Sequence, residues 1–408
     1  MVKTNILKNI NACTIIALIT AFAVINQAIA IHTINLGNLY YAILIFTLLT
    51  TFFQSTIKRI SMTMTILYIA CILSILLNDI PTQYQPWMRF ILFAIVTIVA
   101  SPFIQSNFYD KFRVTLFKFI HILLIIVIIL SIPFVISGER GIAGFGGFTN
   151  HSMLLAPISA VTLVTLLYQL YLGKYNKIIV ISLIVITFIA LLLAASRVSL
   201  AGAIVAIIYF FYRLYSNNKR KFGTIVISII VLMIISYPLW GRYMEGIEKK
   251  NSVINQQTGE INYTASRDIL WDQRIREFKS SPLVGVGFGY AKYVTNVNER
   301  TGRITYKDNN TGVVEPGSSW LGALSMTGLL GFTALLVLWF KSLKNSWKVE
   351  KRDKLFGVYI GSTLIFWAVH MIAEGQIFAA GGFMFFMVWI TFGAAYSAYN
   401  IVYKIDLL

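Results

Sequence analysis

The stretch KIIVISLIVITFIALLLAASRVSLAGAIVAIIYFFYRLYSNNKRK, residues 177–221, decides the architecture. It holds two apolar runs, 178–195 and 198–215, and each is long enough to cross about 30 Å of hydrocarbon as a helix. Lys174 and Lys177 precede the pair, and Arg213, Lys219, Arg220 and Lys221 follow it. Only Arg197 stands at the turn between them. Two antiparallel membrane helices, with basic residues at one end and a lone arginine at the other, account for this pattern.

The same pattern runs through the chain. Apolar runs occur near 11–31, 34–53, 61–77, 86–104, 114–137, 152–172, 178–195, 198–215, 222–240, 318–340, 355–372 and 377–401. Of the 34 basic residues, 20 fall in every second connection, including Lys3, Lys8, Lys58, Arg59, Lys111, Lys118, Lys344 and Lys404. The short connections of the other set hold only Arg89, Arg140 and Arg197. Lys and Arg mark the cytoplasmic side, so both termini are expected inside. The expected fold is an all-α polytopic membrane protein of about twelve transmembrane helices. Nine lie in 1–240 and three in 318–408, and a large extracytoplasmic loop over 241–317 separates them.

Composition agrees: 57% of the 408 residues are apolar and 12% charged, with a mean hydropathy of +0.74. A soluble domain carries about 25% charged residues. The net charge of +18 follows from topology and calls for no nucleic-acid partner, since segment 241–317 balances 11 basic with 9 acidic residues. Cys13 and Cys71 both sit in apolar runs and make no disulfide framework. Lys3, Lys8, an apolar core and Ala28-Ile29-Ala30 imitate a cleavable signal peptide; an uncleaved first span is the expectation.

Within the outer segment, Arg267, Trp271, Arg274 and Phe278 recur on one helical face. Ser266 or Thr264 caps that helix and Ser280-Ser281-Pro282 stops it. Gly285, Gly287 and Gly289 follow as a turn, and Asn296–Asn310 reads as a polar, mobile stretch. There is no phosphate loop, no H-E-x-x-H and no G-x-S-x-G elbow, and no metal site or cofactor is expected.

The arginines of the outer face carry the chemistry. Arg197 at headgroup depth offers a planar fork of donors to a diphosphate; the alternative is a snorkelling anchor. Arg267, Arg274 and Arg276 are further candidates for anion or sugar contact, with Trp271 beside them. Their alternative is a solvated helix paired internally through Asp268, Asp272 and Glu277.

At these residues the chain resembles the O-antigen ligase and O-antigen polymerase superfamily of bacterial integral membrane glycosyltransferases. The matching pieces are Gly147-Phe148-Thr149-Asn150-His151, Ala195-Ser196-Arg197, Ser266–Trp271, Phe278–Gly287 and Ser319–Gly331, in that order. The resemblance implies an undecaprenyl-diphosphate-linked oligosaccharide as substrate, at the outer face of the bacterial inner membrane, with a chain-length regulator as candidate partner. Arg197 and Arg267 are then expected on the diphosphate, with Arg274 and Arg276 next. Ligases of the family carry an essential His just before the last block, and that position is Gly317 here. No histidine stands in 241–317, which favours a polymerase. Glu315 is the first candidate for the acceptor-side base. His370 and Glu374, four residues apart at the outer end of a span, come next, with His151 as a further candidate. Two rivals remain: a lipid-glycan flippase, which would carry charges deep within several spans, and a scaffold whose outer loop binds a partner.

Overall fold

The computed structural model describes residues 11–56, 59–136, 144–228, 231, 253–254, 261–262, 265–297, 304–309 and 311–404. Helices dominate: α1 (Ala12–Ile29), α2 (Leu39–Phe53), α3 (Met62–Leu76), α4 (Pro86–Ala100), α5 (Asn107–Ile136), α6 (Ser152–Leu172), α7 (Lys177–Leu193) and α8 (Arg197–Leu214). There follow α9, described over 219–228, then α10 (Ala265–Ser280), α11 (Ser319–Val349), α12 (Lys354–Ala373) and α13 (Phe383–Lys404). Local chemistry sets several starts. Asn11, Ser61, Asn176, Ser196, Ser318 and Asp353 cap α1, α3, α7, α8, α11 and α12, each accepting a backbone N–H of the first turn.

Each of the twelve apolar runs coincides with a helix, although the run at 222–240 is described only in part. Among the described residues, seven helices are long and apolar enough to cross a membrane by length and composition. Helices α2, α3 and α7 are apolar but shorter, at 15, 15 and 17 residues. Helix α4 stops at Ala100, short of the expected 104, because Ser101-Pro102 ends it and Ile104–Gln105 pairs as a strand with Arg59–Ile60. The buried Arg113 closes this end by donating to the carbonyls of Ile98, Val99 and Ile104 at 3.0, 3.1 and 2.6 Å. A guanidinium suits the orphan carbonyls of a helix C-terminus.

In the core α8 packs along α12, α1 along α5, and α3 along α11. Gly202, Ala203 and Ala206 let α8 approach α12 closely, with Phe366 filling the space over Gly202. Polar contacts join helix ends on both sides of the bundle. Arg213 pairs with Glu350 at 2.6 Å and Lys341 donates to Thr63 at one end of the bundle. At the other end Asn150 binds Ala28 and Ile31, Asn78 binds Gly285, and Arg267 binds Glu374.

Two features differ from the expectations. Part of Asn296–Asn310 is ordered: Tyr293–Val297 pairs antiparallel with Ile304–Asp308, and residues 298–303 and 310 lie outside the described set. The β-branched and aromatic residues of these segments suit a pleated ladder despite the polarity between them. Second, α11 is broken at Gly328, whose φ of 60° and ψ of −163° leave the helical region. The turn after α10 enters the break. Ser325 O accepts from Val286 N at 2.9 Å, and Leu329 N and Leu330 N donate to Pro282 O and Leu283 O at 2.8 and 3.3 Å. Ser74 of α3 donates to the freed Met326 carbonyl. Phe288, fully buried, then plugs the space between Phe93 of α4 and Phe378, with ring centroids 5.4 and 5.2 Å away.

Candidate functional site

Two polar groups of side chains are built where α10 lies on α11 and reaches the end of α12. The inner one is structural. Arg274 and Glu277, 1% and 0% exposed, pair at 2.8 Å. Glu277 Oε1 accepts from Lys292 N at 2.7 Å and Tyr293 N at 3.3 Å, and Oε2 from the Ser325 hydroxyl. Burial raises the Glu277 carboxyl above the ordinary carboxylate range although Arg274 pulls it down. The same burial lowers Arg274. Arg274, a candidate for the diphosphate, is thus paired with Glu277 of its own helix, which in turn holds α11 through Ser325, and is not presented to the surface. Arg276 is also apart from the site: its side chain is 53% exposed and pairs with Asp272 one turn away at 2.7 Å.

The outer group gathers the other candidates. Arg267 Nη2 binds Glu374 Oε1 at 2.6 Å, with the two side chains 26% and 18% exposed. Trp271, one turn further along α10, donates its indole N–H to Gly317 O at 3.3 Å. Glu374 ends α12, and its carbonyl accepts from the Ser319 hydroxyl at 2.6 Å. Ser319 Oγ in turn accepts from Gln376 N at 2.9 Å and Ile377 N at 3.2 Å. Burial holds the Glu374 carboxyl above its usual range; Arg267 draws it down, and the neighbouring Glu315 pushes it up. Glu315 itself is exposed.

His370 joins this group to the start of α8 through Ser199. It is 1% exposed, with Nδ1 3.1 Å from Gln376 Oε1 and Nε2 3.2 Å from Ser199 Oγ. Both ring nitrogens are within hydrogen-bond reach of a partner, and the imidazole tautomer sets which of them donates. Ser196 donates to Ser199 Oγ at 3.1 Å. Arg197 lies between these two serines as the first residue of α8, half-buried, after a turn in which Ala195 holds a φ of 55°. A side chain in the left-handed region costs about 1–2 kcal/mol, offset here by the serine bonds that fix the turn. His151 sits apart, exposed, at the start of α6, beside the Asn150 contacts with Ala28 and Ile31.

Gly317 is a backbone requirement. Its φ is 66°, and a Cβ there would lie 2.6 Å from Leu270 Cβ on α10. No imidazole fits at that position while Trp271 holds its carbonyl. Residues that the sequence reading passed over complete the site: Ser199, Ser319 and Gln376 link segments more than 50 residues apart, and no local pattern marks them. On the other side of the outer segment, an open cavity of about 460 Å³ is lined by Asn78, Asp79, Gln85 and Trp87 among others, none from the arginine group.

Fold and site together define a polytopic helical membrane protein with an arginine–carboxylate cluster at one end of its bundle. Residues 182–336 match the model of the family described as O-antigen ligase. The chain therefore carries a domain of the O-antigen ligase and polymerase superfamily, which implies a membrane enzyme of the glycosyltransferase type. The matched span runs from α7 to the middle of α11 and contains Arg197, Arg267, Trp271, Glu315 and Gly317. No curated protein matches the chain.

Proposed function

We propose that the protein is a polymerase of O-antigen or a related surface polysaccharide. It moves a growing glycan from undecaprenyl diphosphate onto the non-reducing sugar of the next lipid-linked repeat unit, at the outer face of the bacterial inner membrane. The observation that carries the choice of polymerase is Gly317: the position of the ligase histidine is a left-handed glycine pressed on Leu270. Arg197 and Arg267 neutralise the diphosphate as it leaves, so positioning and charge stabilisation are the main catalytic tasks, with no metal required. A carboxylate beside Arg267 takes the acceptor proton.

The second reading is a ligase, favoured by the description of the matched family itself. Gene deletion separates the two. Loss of a polymerase leaves the surface acceptor capped with one repeat unit, because an intact ligase still uses the short donor. Loss of a ligase leaves the acceptor bare and long chains on the lipid carrier, and that outcome would replace the polymerase reading.

A further inference from the structure

Two carboxylates stand near Arg267, and the structure treats them differently. Glu315 is exposed. Glu374 is held from three sides: by Arg267 at 2.6 Å, by Ser319 through its own carbonyl at 2.6 Å, and by Pro316 packed on Gly375. A Cβ on Gly375 would lie 2.7 Å from Pro316 Cβ, so the turn that carries Glu374 has no room to shift. A base that must meet a sugar hydroxyl in one geometry belongs on such a turn.

We propose that Glu374 is the acceptor-side base and that the donor's diphosphate switches it on by taking Arg267 away from it. The inference rests on the glycosyltransferase reading above. Without donor, the guanidinium occupies the carboxylate and quenches it. A lipid diphosphate carries more charge than a carboxylate and suits the same planar fork. When Arg267 turns to it, Glu374 loses its counter-ion. Burial and Glu315 then both favour proton uptake. The charged groups facing Glu374 among the described residues are Arg267 from α10 and Glu315 from the segment before α11.

The step balances. The acceptor hydroxyl oxygen forms the new bond to the anomeric carbon, and its proton passes to Glu374. The bond from that carbon to the diphosphate oxygen breaks, and its electron pair leaves with the lipid diphosphate, held by Arg267 and Arg197. The switch orders the reaction, since the base is released only when a donor is in place.

The test pairs binding with chain extension. Purified wild type, Glu374→Gln, Glu315→Gln and Arg267→Ala are titrated with undecaprenyl diphosphate in detergent, and each gene is returned to a deletion strain whose surface glycan is sized on gels. Glu374→Gln is expected to bind undecaprenyl diphosphate about two- to fivefold more tightly, the effect of removing a partly exposed ion pair that competes for Arg267. Its chain extension is expected to fall at least about 100-fold, as for loss of a general base. Glu374→Asp keeps a carboxylate on the same turn and is expected to recover extension to within about tenfold, which excludes a fold defect as the cause. Full extension by Glu374→Gln with failure of Glu315→Gln would overturn the proposal and leave the glycosyltransferase reading intact. Unchanged affinity in Glu374→Gln, or Glu374→Asp no better than Gln, would also overturn it. Wild type that binds no undecaprenyl diphosphate would instead sink the underlying reading.

Discussion

Removing the Glu277 carboxylate should release the outer segment from the bundle. Three donors converge on it, Lys292 N, Tyr293 N and Ser325 Oγ, and Arg274 pairs with it as counter-ion. In Glu277→Ala the guanidinium of Arg274, 1% exposed, loses its ion-pair partner. Breaking a buried pair from one side costs about 3–5 kcal/mol. At about 4 kcal/mol, and with tenfold per 1.4 kcal/mol, the opening equilibrium rises about 1,000-fold. Arg274→Met should cost less, because Glu277 keeps three donors and can take up a proton; about 1–2 kcal/mol, or roughly tenfold, is expected. Hydrogen exchange at the amides of Val286, Lys292 and Tyr293 reads this opening directly. Exchange in Glu277→Ala within threefold of wild type would refute the assignment of Glu277 as the fastening point. So would an Arg274→Met variant that opens more readily than Glu277→Ala.

The same group gives a pH dependence with a sign opposite to that of an exposed salt bridge. Glu277 is raised in the fold by burial, so its contribution is full below the unfolded value of about 4.3 and is lost as pH rises through the folded value. Exchange at Lys292 N should therefore slow, and not quicken, as pH falls toward the unfolded value, after correction for intrinsic rates. Arg197→Lys should abolish glycan extension nearly as fully as Arg197→Ala, since Lys lacks the planar fork; normal extension by Arg197→Ala, read on glycan gels, would reduce the residue to an anchor. Gly328→Ala places a Cβ against the backbone of Leu283 at a φ of 60° and should destabilise the α11 break by more than about 1 kcal/mol, seen as faster exchange at Leu329 N. Reporter fusions after Lys219 and Lys348 should report the cytoplasm and fusions within 255–310 the outer side; a cytoplasmic signal from the latter would overturn the orientation.

Much of this was legible in the sequence because it is local. Apolar length located every described helix of the bundle, and the periodicity of Arg267, Trp271 and Phe278 with the Ser280–Pro282 stop located α10 to within two residues. What that face touches was not legible. Trp271 and Arg274 share it, yet Trp271 meets Gly317, folded back from 46 positions away, whereas Arg274 takes the internal pairing with Glu277 that the sequence offered as its alternative, and the long-range partner there is Ser325 on Glu277. The His370–Ser199 contact spans 171 positions, and nothing in either neighbourhood announces the other. Gly285 reads as an ordinary turn glycine and Gly328 as one more residue of a continuous apolar span; only the crossing of two backbones shows why a side chain fails at both.

The break in α11 also dictates an order of assembly. The N–H groups of Leu329 and Leu330 have their partners in Pro282 and Leu283, and the carbonyls of Ser325 and Met326 have theirs in Val286 and Ser74. Unpaired backbone groups at the edge of hydrocarbon cost several kcal/mol each. Helix α3 emerges from synthesis first, the turn at 282–286 much later, and α11 last of the three. The turn must already have come to rest against α3 before α11 has anything to lock onto. Docking of the segment before α11 is thus a condition for completing the helical bundle, and a chain that failed to place it would be left with unpaired backbone groups at the break in α11.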